Sequence, residues 1–142
     1  MLARGLRQIP APRWVTLLRL EHVQLAMPEG GEDAARRFYC DILGIPEVPK
    51  PARLASRGGC WFESGDLKVH LGVETDFRPA RKAHPAFLVS GLATVTERLT
   101  AARHVVVNDE PLNGLDRVYT DDPFGNRIEL MEHSAGAQKR KV

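Results

Sequence analysis

Apolar and polar residues alternate along the first regular stretch of the chain. Residues 17–27 (LLRLEHVQLAM) place Leu18, Leu20, His22, Gln24 and Ala26 on one face and the intervening residues on the other. A period of two predicts a β-strand. Residues 1–16 contain prolines and show no clear period, so we expect them to form an extension outside the core.

A helical period follows this strand. In residues 28–45 (PEGGEDAARRFYCDILGI) the apolar residues recur at helical spacing, acidic residues stand near the start, and Gly44 stands where a helix C-terminus favours a left-handed residue. The pattern predicts a helix of about three turns. Prolines at 46, 49 and 51 then predict a short strand and a loop.

Two strand-like segments complete the first half of the chain. Residues 58–64 (GGCWFES) and 66–73 (DLKVHLGV) surround Ser64-Gly65-Asp66, a sequence typical of a hairpin turn. The first half therefore has the predicted order βαβββ. A polar link containing a proline, residues 74–83, follows it.

The second half repeats this order. Residues 84–90 (HPAFLVS) predict a strand, 92–103 a helix, and 104–108, 115–121 and 126–132 three more strands, with a tight turn at 122–126. The repeat predicts one α+β domain over residues 17–132, with module one at about 17–75, module two at about 83–132, and a basic tail at 133–142.

Composition narrows the classes of function. Hydrophobic residues make up 43% and charged residues 27% of 142 residues, as in ordinary globular proteins. The net charge is only +2, several basic residues lie near the two ends, and aromatic residues are 6%, so we expect no nucleic-acid partner. No apolar run has the length of a membrane span or a signal peptide, which predicts a cytoplasmic protein, and Cys40 and Cys60 are predicted to be reduced.

Three histidines and one glutamate fall at related places in the two predicted modules. His22 lies on the first predicted strand, His70 on the fourth, His84 on the fifth and Glu129 on the eighth. A single histidine on a strand is more often exposed or hydrogen-bonded than a metal ligand. The symmetric placement, with one pair in each repeat, instead favours a divalent metal site of imidazole nitrogens and a carboxylate. His104 and His133 lack this symmetry and are predicted to be surface residues.

Several segments resemble one superfamily over residues 18–132. FYCDILG (38–44) resembles the FY-x-x-x-LG motif, and DPFGNRIEL (122–130) resembles DP-x-G-x-x-[IL]-E, of the glyoxalase, bleomycin resistance and extradiol dioxygenase proteins, also called vicinal oxygen chelate proteins. LEHVQLAM, KVHLGV and HPAFLV fit the same pattern. The resemblance implies two βαβββ modules forming a curved mixed sheet, with the helices on its outer face.

The resemblance also implies roles for the four residues. His22, His70, His84 and Glu129 match the family's metal-ligand positions, which argues against the metal-free binding members. Glyoxalase I and many relatives carry Glu where this chain has His70, and the epimerases carry Gln. His70 is therefore either a fourth ligand or the group that moves a proton, and we expect His70 and Glu129 to be the catalytic residues.

The resulting expectation is a glyoxalase-like lyase or isomerase. One divalent ion (Zn, Ni, Mn or Fe) would chelate neighbouring oxygens of a small substrate and stabilise an enediolate or oxyanion. The set His22, His84 and Glu129 also matches the two-His, one-carboxylate triad of extradiol dioxygenases and fosfomycin-modifying transferases. A non-catalytic small-molecule binding or resistance protein, and a structural or regulatory dimer with a vestigial site, remain alternatives. The resemblance implies a homodimer.

The surroundings of the site are less well defined by the sequence. Aromatic residues on strands are candidates for lining a cleft, although they more often belong to a plain core. Basic residues near the site are candidates for holding an anionic group, although solvated surface charge is the commoner role. The aromatic candidates are Trp61, Phe62 and Phe87, and the basic candidates are Arg78, Arg81, Lys82, Arg117 and Arg127.

Overall fold

The computed structural model describes residues 14–136 and contains two βαβββ modules, as predicted. In the first module the strands are β1 (Val23–Met27), β2 (Glu47–Val48), β3 (Cys60–Ser64) and β4 (Leu67–Val73). They form a four-stranded sheet of order β1-β4-β3-β2, in which β1 pairs parallel with β4 and the other pairs are antiparallel. Gly65, at a φ of 59°, lies in the predicted turn between β3 and β4.

The second module repeats this topology. Its strands are β5 (Ala86–Leu88), β6 (Val107–Leu112), β7 (Leu115–Asp121) and β8 (Arg127–His133). The sheet order is β5-β8-β7-β6, again with a parallel first pair. The strands of the two modules thus form two hydrogen-bonded sheets of four.

Each module has a helical segment between its first two strands. In the first, α1 (Glu32–Ala35) continues as a π-helical segment, Arg36–Ile42, and Gly44 follows with a φ of 79°, the left-handed conformation that the sequence predicts. In the second, α3 (Leu92–Ala101) is anchored because the Glu132 carboxylate accepts hydrogen bonds from the amides of Gly91 and Leu92, at 2.7 and 3.1 Å. A single helical turn, α2 (Ala52–Ala55), occupies part of the loop predicted after β2.

The helices and one face of each sheet enclose a shared core. Its buried apolar residues come from both modules and alternate along the strands with residues on the opposite face. They include Phe38, Tyr39, Phe62, Val69, Leu71, Leu99, Val118, Ile128 and Leu130.

Two polar contacts connect the modules. The Tyr39 hydroxyl donates to the buried Asp122 carboxylate at 2.7 Å, and the Asn126 side chain donates to the Ala26 carbonyl oxygen at 2.8 Å. Burial raises the pKa of both Tyr39 and Asp122. The predicted tight turn at 122–126 therefore also fixes module two against module one.

Some predicted boundaries were wrong. The first strand begins at Val23, and residues 17–22 precede it without strand pairing; the Leu18 and Leu20 side chains are almost fully exposed. The strand predicted at 104–108 begins at Val107. His104 is half-buried, with its ring 5.0 Å from that of Phe38, so it is not a plain surface residue. Most of the predicted extension 1–16 and of the tail 133–142 lies outside the described residues.

Candidate metal centre

The strand registers place the candidate residues at equivalent positions in the two modules. His70 on β4 pairs with Gln24 on β1 and with Trp61 on β3. Glu129 on β8 pairs with Ala86 on β5 and with Tyr119 on β7. His70 with its two partners and Glu129 with its two partners therefore occupy matching places in the repeated topology. They lie on the sheet faces opposite the core, because their strand neighbours are core residues.

The two remaining histidines are also equivalent. His22 stands two residues before Gln24, the register partner of His70. His84 likewise stands two residues before Ala86, the register partner of Glu129. The prediction that both lie on strands was wrong, since β1 begins one residue after His22 and β5 begins two residues after His84. The symmetry that the sequence indicated is nevertheless present in the structure.

In module one, the rings of His22 and His70 stack. Their centroids lie 4.6 Å apart. Nδ1 of His22 lies 2.6 Å from the Glu21 carboxylate, which also accepts a hydrogen bond from Lys68 at 2.5 Å. Hydrogen bonds to Lys68 and His22 lower the pKa of Glu21 to about 2. Because Nδ1 of His22 is engaged by this carboxylate, Nε2 is the nitrogen left to bind a ligand.

His70 is buried and its Nε2 atom has no hydrogen-bond partner among the described residues. The nearest carboxylate oxygen in an ion-pair geometry is Oε2 of Glu63, at 3.6 Å. Burial, and secondarily the charge of His22, lowers the pKa of His70. The neutral imidazole, the form that accepts a proton or binds a metal, is therefore favoured.

In module two, His84 and Glu129 face each other. Nδ1 of His84 lies 2.8 Å from the carbonyl oxygen of Lys82, an acceptor only, so this contact requires a proton on Nδ1. Nε2 of His84 lies 3.0 Å from Oε2 of Glu129. In a neutral His84, the Nε2 lone pair would then point at a carboxylate oxygen. A cation between the two atoms, or a second proton on the ring, removes this repulsion.

Arg117 fixes the other oxygen of Glu129. Its Nη1 lies 3.3 Å from Oε1 of Glu129 and donates to the Tyr119 hydroxyl at 2.8 Å. Its Nη2 contacts the Asp109 carboxylate at 2.9 Å, and Nε donates to the Glu110 carbonyl oxygen. Hydrogen bonding to Glu129, with the charge of Asp109, raises the pKa of Arg117 despite the cost of burial. Only 16% of the Arg117 side chain is exposed, so this residue is engaged within the site.

The structure brings the four predicted residues together as two pairs. His22 contacts His70, and His84 contacts Glu129. Within residues 14–136 no three His, Cys, Asp or Glu side chains are grouped closely enough to hold one ion. His22 and His84 do line one cleft, of about 670 Å³, from opposite modules.

The cleft contains some of the other predicted residues. Phe87 lines its apolar wall and Arg78 and Arg127 line its polar part, while Arg127 also lies over the Tyr119 ring at 4.0 Å. Trp61 stacks on His70 rather than on the core. Phe62 does not line a cleft; it is fully buried in the core, because consecutive residues of β3 point to opposite faces.

Three residues of the site were not predicted in these roles from the sequence. Glu63 lies beside His70, Tyr119 beside His84 and Arg117 beside Glu129. For Glu63 a signal was present, since it stands two residues after Trp61 and therefore on the same strand face. Arg117 was considered only as a group for binding an anion.

The donor atoms of the four residues fit a divalent metal ion. Imidazole nitrogens and a carboxylate oxygen are suitable ligands for Zn, Ni, Mn or Fe(II). The opposed Nε2 of His84 and Oε2 of Glu129 are polar atoms that an ion would satisfy. Outer contacts are also present, because Glu21, Lys82 and Arg117 orient three of the four side chains.

No helix within residues 14–136 has both the length and the apolar character to cross a bilayer. Cys40 and Cys60 form no disulfide with each other in the described residues.

Solved structures of other proteins are similar to this chain over most of its length. A Bacillus anthracis protein described as a glyoxalase family member is 43% identical, over 85% of this chain and 99% of its own, with a TM-score of 0.80. A glyoxalase/dioxygenase from Nostoc punctiforme is 22% identical over 84% and 98%, with a TM-score of 0.67. FosX, a fosfomycin resistance protein from Listeria monocytogenes, is 16% identical over 87% and 99%, also with a TM-score of 0.67.

Neither a family model nor a curated protein matches the sequence. The identity of 43% along nearly all of the Bacillus anthracis chain, with the two-module fold, establishes the kinship. The chain belongs to the glyoxalase family within the vicinal oxygen chelate superfamily.

Proposed function

We propose that this protein is a metal-dependent lyase or isomerase of the glyoxalase type. Its substrate would be a small molecule that presents two neighbouring oxygens to one divalent ion. The observation that carries the proposal is the approach of Nε2 of His84 to Oε2 of Glu129, at 3.0 Å, while Nδ1 of the same ring faces a carbonyl oxygen. Two ligand atoms directed at each other in this way are a natural place for a cation.

His22, His84 and Glu129 would hold the ion. When bound, the metal supplies a Lewis acid that stabilises negative charge developing on substrate oxygens. His70 is a fourth ligand or the proton acceptor, and its lowered pKa keeps the ring neutral for either role. Arg117 orients the Glu129 carboxylate. Apolar residues that line the cleft beside His84, such as Ala86, would exclude water from the substrate.

The arrangement in two pairs supports a site shared between two chains. His22 and His70 lie in one pair and His84 and Glu129 in the other, and the described part of one chain groups no three of them. In a homodimer, module one of one chain would supply His22 to the His84–Glu129 pair of its partner. Two-fold symmetry would then generate two equivalent sites.

A fosfomycin-modifying activity is the second candidate. Arg78 and Arg127 line the same cleft as His22 and His84, and guanidinium groups suit a phosphonate. A structure of a FosX variant holds Mn(II) and a dihydroxypropylphosphonic acid, although that protein shares only 16% identity with this chain. An assay for the addition of a thiol or of water to an epoxide phosphonate would distinguish this candidate from a lyase.

Elemental analysis of the purified protein tests the metal centre. We expect about one equivalent of Zn, Ni, Mn or Fe for each site in the parent, loss of that metal in His84→Ala, and retention in His133→Ala. His133 is a matched control because it is exposed at the end of β8. If the parent binds none of these metals even after reconstitution, the chain is a metal-free binding protein and the proposal is wrong.

A further inference from the structure

The imidazole of His70 is held between two other rings. The Trp61 ring lies parallel to it, within 3°, with centroids 4.0 Å apart, and the His22 ring stacks at 4.6 Å. Two rings cannot occupy the same face of one imidazole, so Trp61 and His22 cover opposite faces. The plane of His70 is thereby fixed, and only its ring edges remain available for polar contacts.

One ring edge of His70 faces Glu63. Nε2 of His70 is buried and has no hydrogen-bond partner in the described part of the chain, and Oε2 of Glu63 lies 3.6 Å away. A buried unpaired nitrogen is costly, and a carboxylate at this separation needs to move by only about half an ångström to accept a normal hydrogen bond. Glu63 has that freedom, since 22% of its side chain is exposed.

The strand geometry places Glu63 there for a local reason. Trp61 pairs directly with His70, and Glu63 stands two residues further along β3, on the same face. Lys68, the register partner of Glu63, is engaged by Glu21. The Glu63 carboxylate therefore lies beside the imidazole, while Lys68 is paired with Glu21.

We propose that Glu63 is a positioning residue for His70: it accepts a hydrogen bond from Nε2–H and so leaves Nδ1 as the unprotonated nitrogen. Nδ1 would then be the atom that binds a metal or takes a proton from a substrate. The inference deepens the proposed function, because it assigns the reactive atom of His70. Carboxylates that contact the second nitrogen of a histidine commonly fix its tautomer in this way.

Nitrogen-15 NMR of the metal-free protein tests this assignment. Comparison with a His70→Gln variant identifies the ring signals. We expect the parent to show a proton on Nε2 of His70 that exchanges slowly with water. Glu63→Ala should lose that slow exchange, and Glu63→Gln should largely retain it because the amide oxygen still accepts. Glu97→Gln, an exposed change on α3, is the matched control.

Two results would overturn the proposal: a proton on Nδ1 of His70 in the parent, or equally slow Nε2–H exchange in Glu63→Ala. Trp61 fluorescence, measured with Trp14 replaced by Phe, reports whether the stack is intact in each variant. Since the NMR experiment uses no metal, its outcome is separate from the metal analysis. In a parent that binds metal, Glu63→Ala should also weaken binding by about 10- to 100-fold.

Discussion

Nε2 of His84 and Oε2 of Glu129 lie 3.0 Å apart, and each residue is oriented from behind by another group. The Lys82 carbonyl oxygen faces Nδ1 of His84, and Arg117 holds Oε1 of Glu129. These two contacts fix the positions of Nε2 of His84 and Oε2 of Glu129, so the pair is preorganised for a ligand. Such preorganisation is typical of metal sites and of ion pairs alike, and the two cases make different predictions.

Replacement of Glu129 by Gln distinguishes a metal site from a simple ion pair between His84 and Glu129. A metal site should lose most of its bound ion, since a charged oxygen ligand becomes neutral. Metal content by elemental analysis measures the effect, with the unfolding temperature recorded to show that the variant is folded. Unchanged metal content in Glu129→Gln would mean that this carboxylate is not a ligand.

Arg117→Met should weaken metal binding by about 10- to 100-fold, because the Glu129 carboxylate loses the group that orients it. Titration of the metal-free protein with Zn²⁺ or Mn²⁺ measures this change. Arg127→Met is the control: Arg127 also lies over the Tyr119 ring, at 4.0 Å, but is not among the hydrogen-bond or ion-pair partners of Glu129. If both variants weaken metal binding equally, the loss of affinity comes from the removed positive charge and not from the orientation of Glu129.

Glu32 provides a pH-dependent test of the fold, away from the site. Its carboxylate accepts a hydrogen bond from the Gly59 amide at 3.0 Å, and this bond lowers its pKa from 4.5. Because the pKa of Glu32 is lower in the folded state, the unfolded chain takes up the proton first as the pH falls below about 4.5. The stabilisation by this carboxylate is therefore present above that pH and is lost as the pH falls through the folded-state pKa.

Glu32→Gln should therefore reduce the free energy of unfolding by about 1 kcal/mol near neutral pH and make it fall less steeply below pH 4.5. Urea unfolding at several pH values measures both effects. Glu97→Gln should leave the curve nearly unchanged. A parallel shift of the Glu32→Gln curve at every pH would show that packing, rather than the charge, is responsible.

The repeat and the strand positions of His70 and Glu129 could be predicted from the sequence for a simple reason. Period-two alternation fixes which side chains share a sheet face, and the second module repeats the order of the first. His70 and Glu129 therefore occupy the predicted strands and register-equivalent positions. The fold class and the hairpin at Gly65 were predicted on the same basis and are confirmed.

The remaining features depend on contacts between distant residues. Nothing in local periodicity indicates that β1 begins only at Val23, because this boundary depends on where β4 provides hydrogen bonds. Arg117 contacts Asp109 and Glu129 through the β6–β7–β8 ladder, so its role follows from strand order. The division of the four residues into two pairs likewise reflects how the modules are placed.

That division leads to the most direct test of the account. Chains carrying His22→Ala and chains carrying Glu129→Ala, each with a different affinity tag, are mixed by co-expression and the doubly tagged dimer is purified. Neither homodimer should bind metal. If each site combines His22 of one chain with His84 and Glu129 of the other, the mixed dimer contains one intact site and should bind one ion. A mixed dimer without metal, beside a parent that binds it, would contradict a site assembled from two chains.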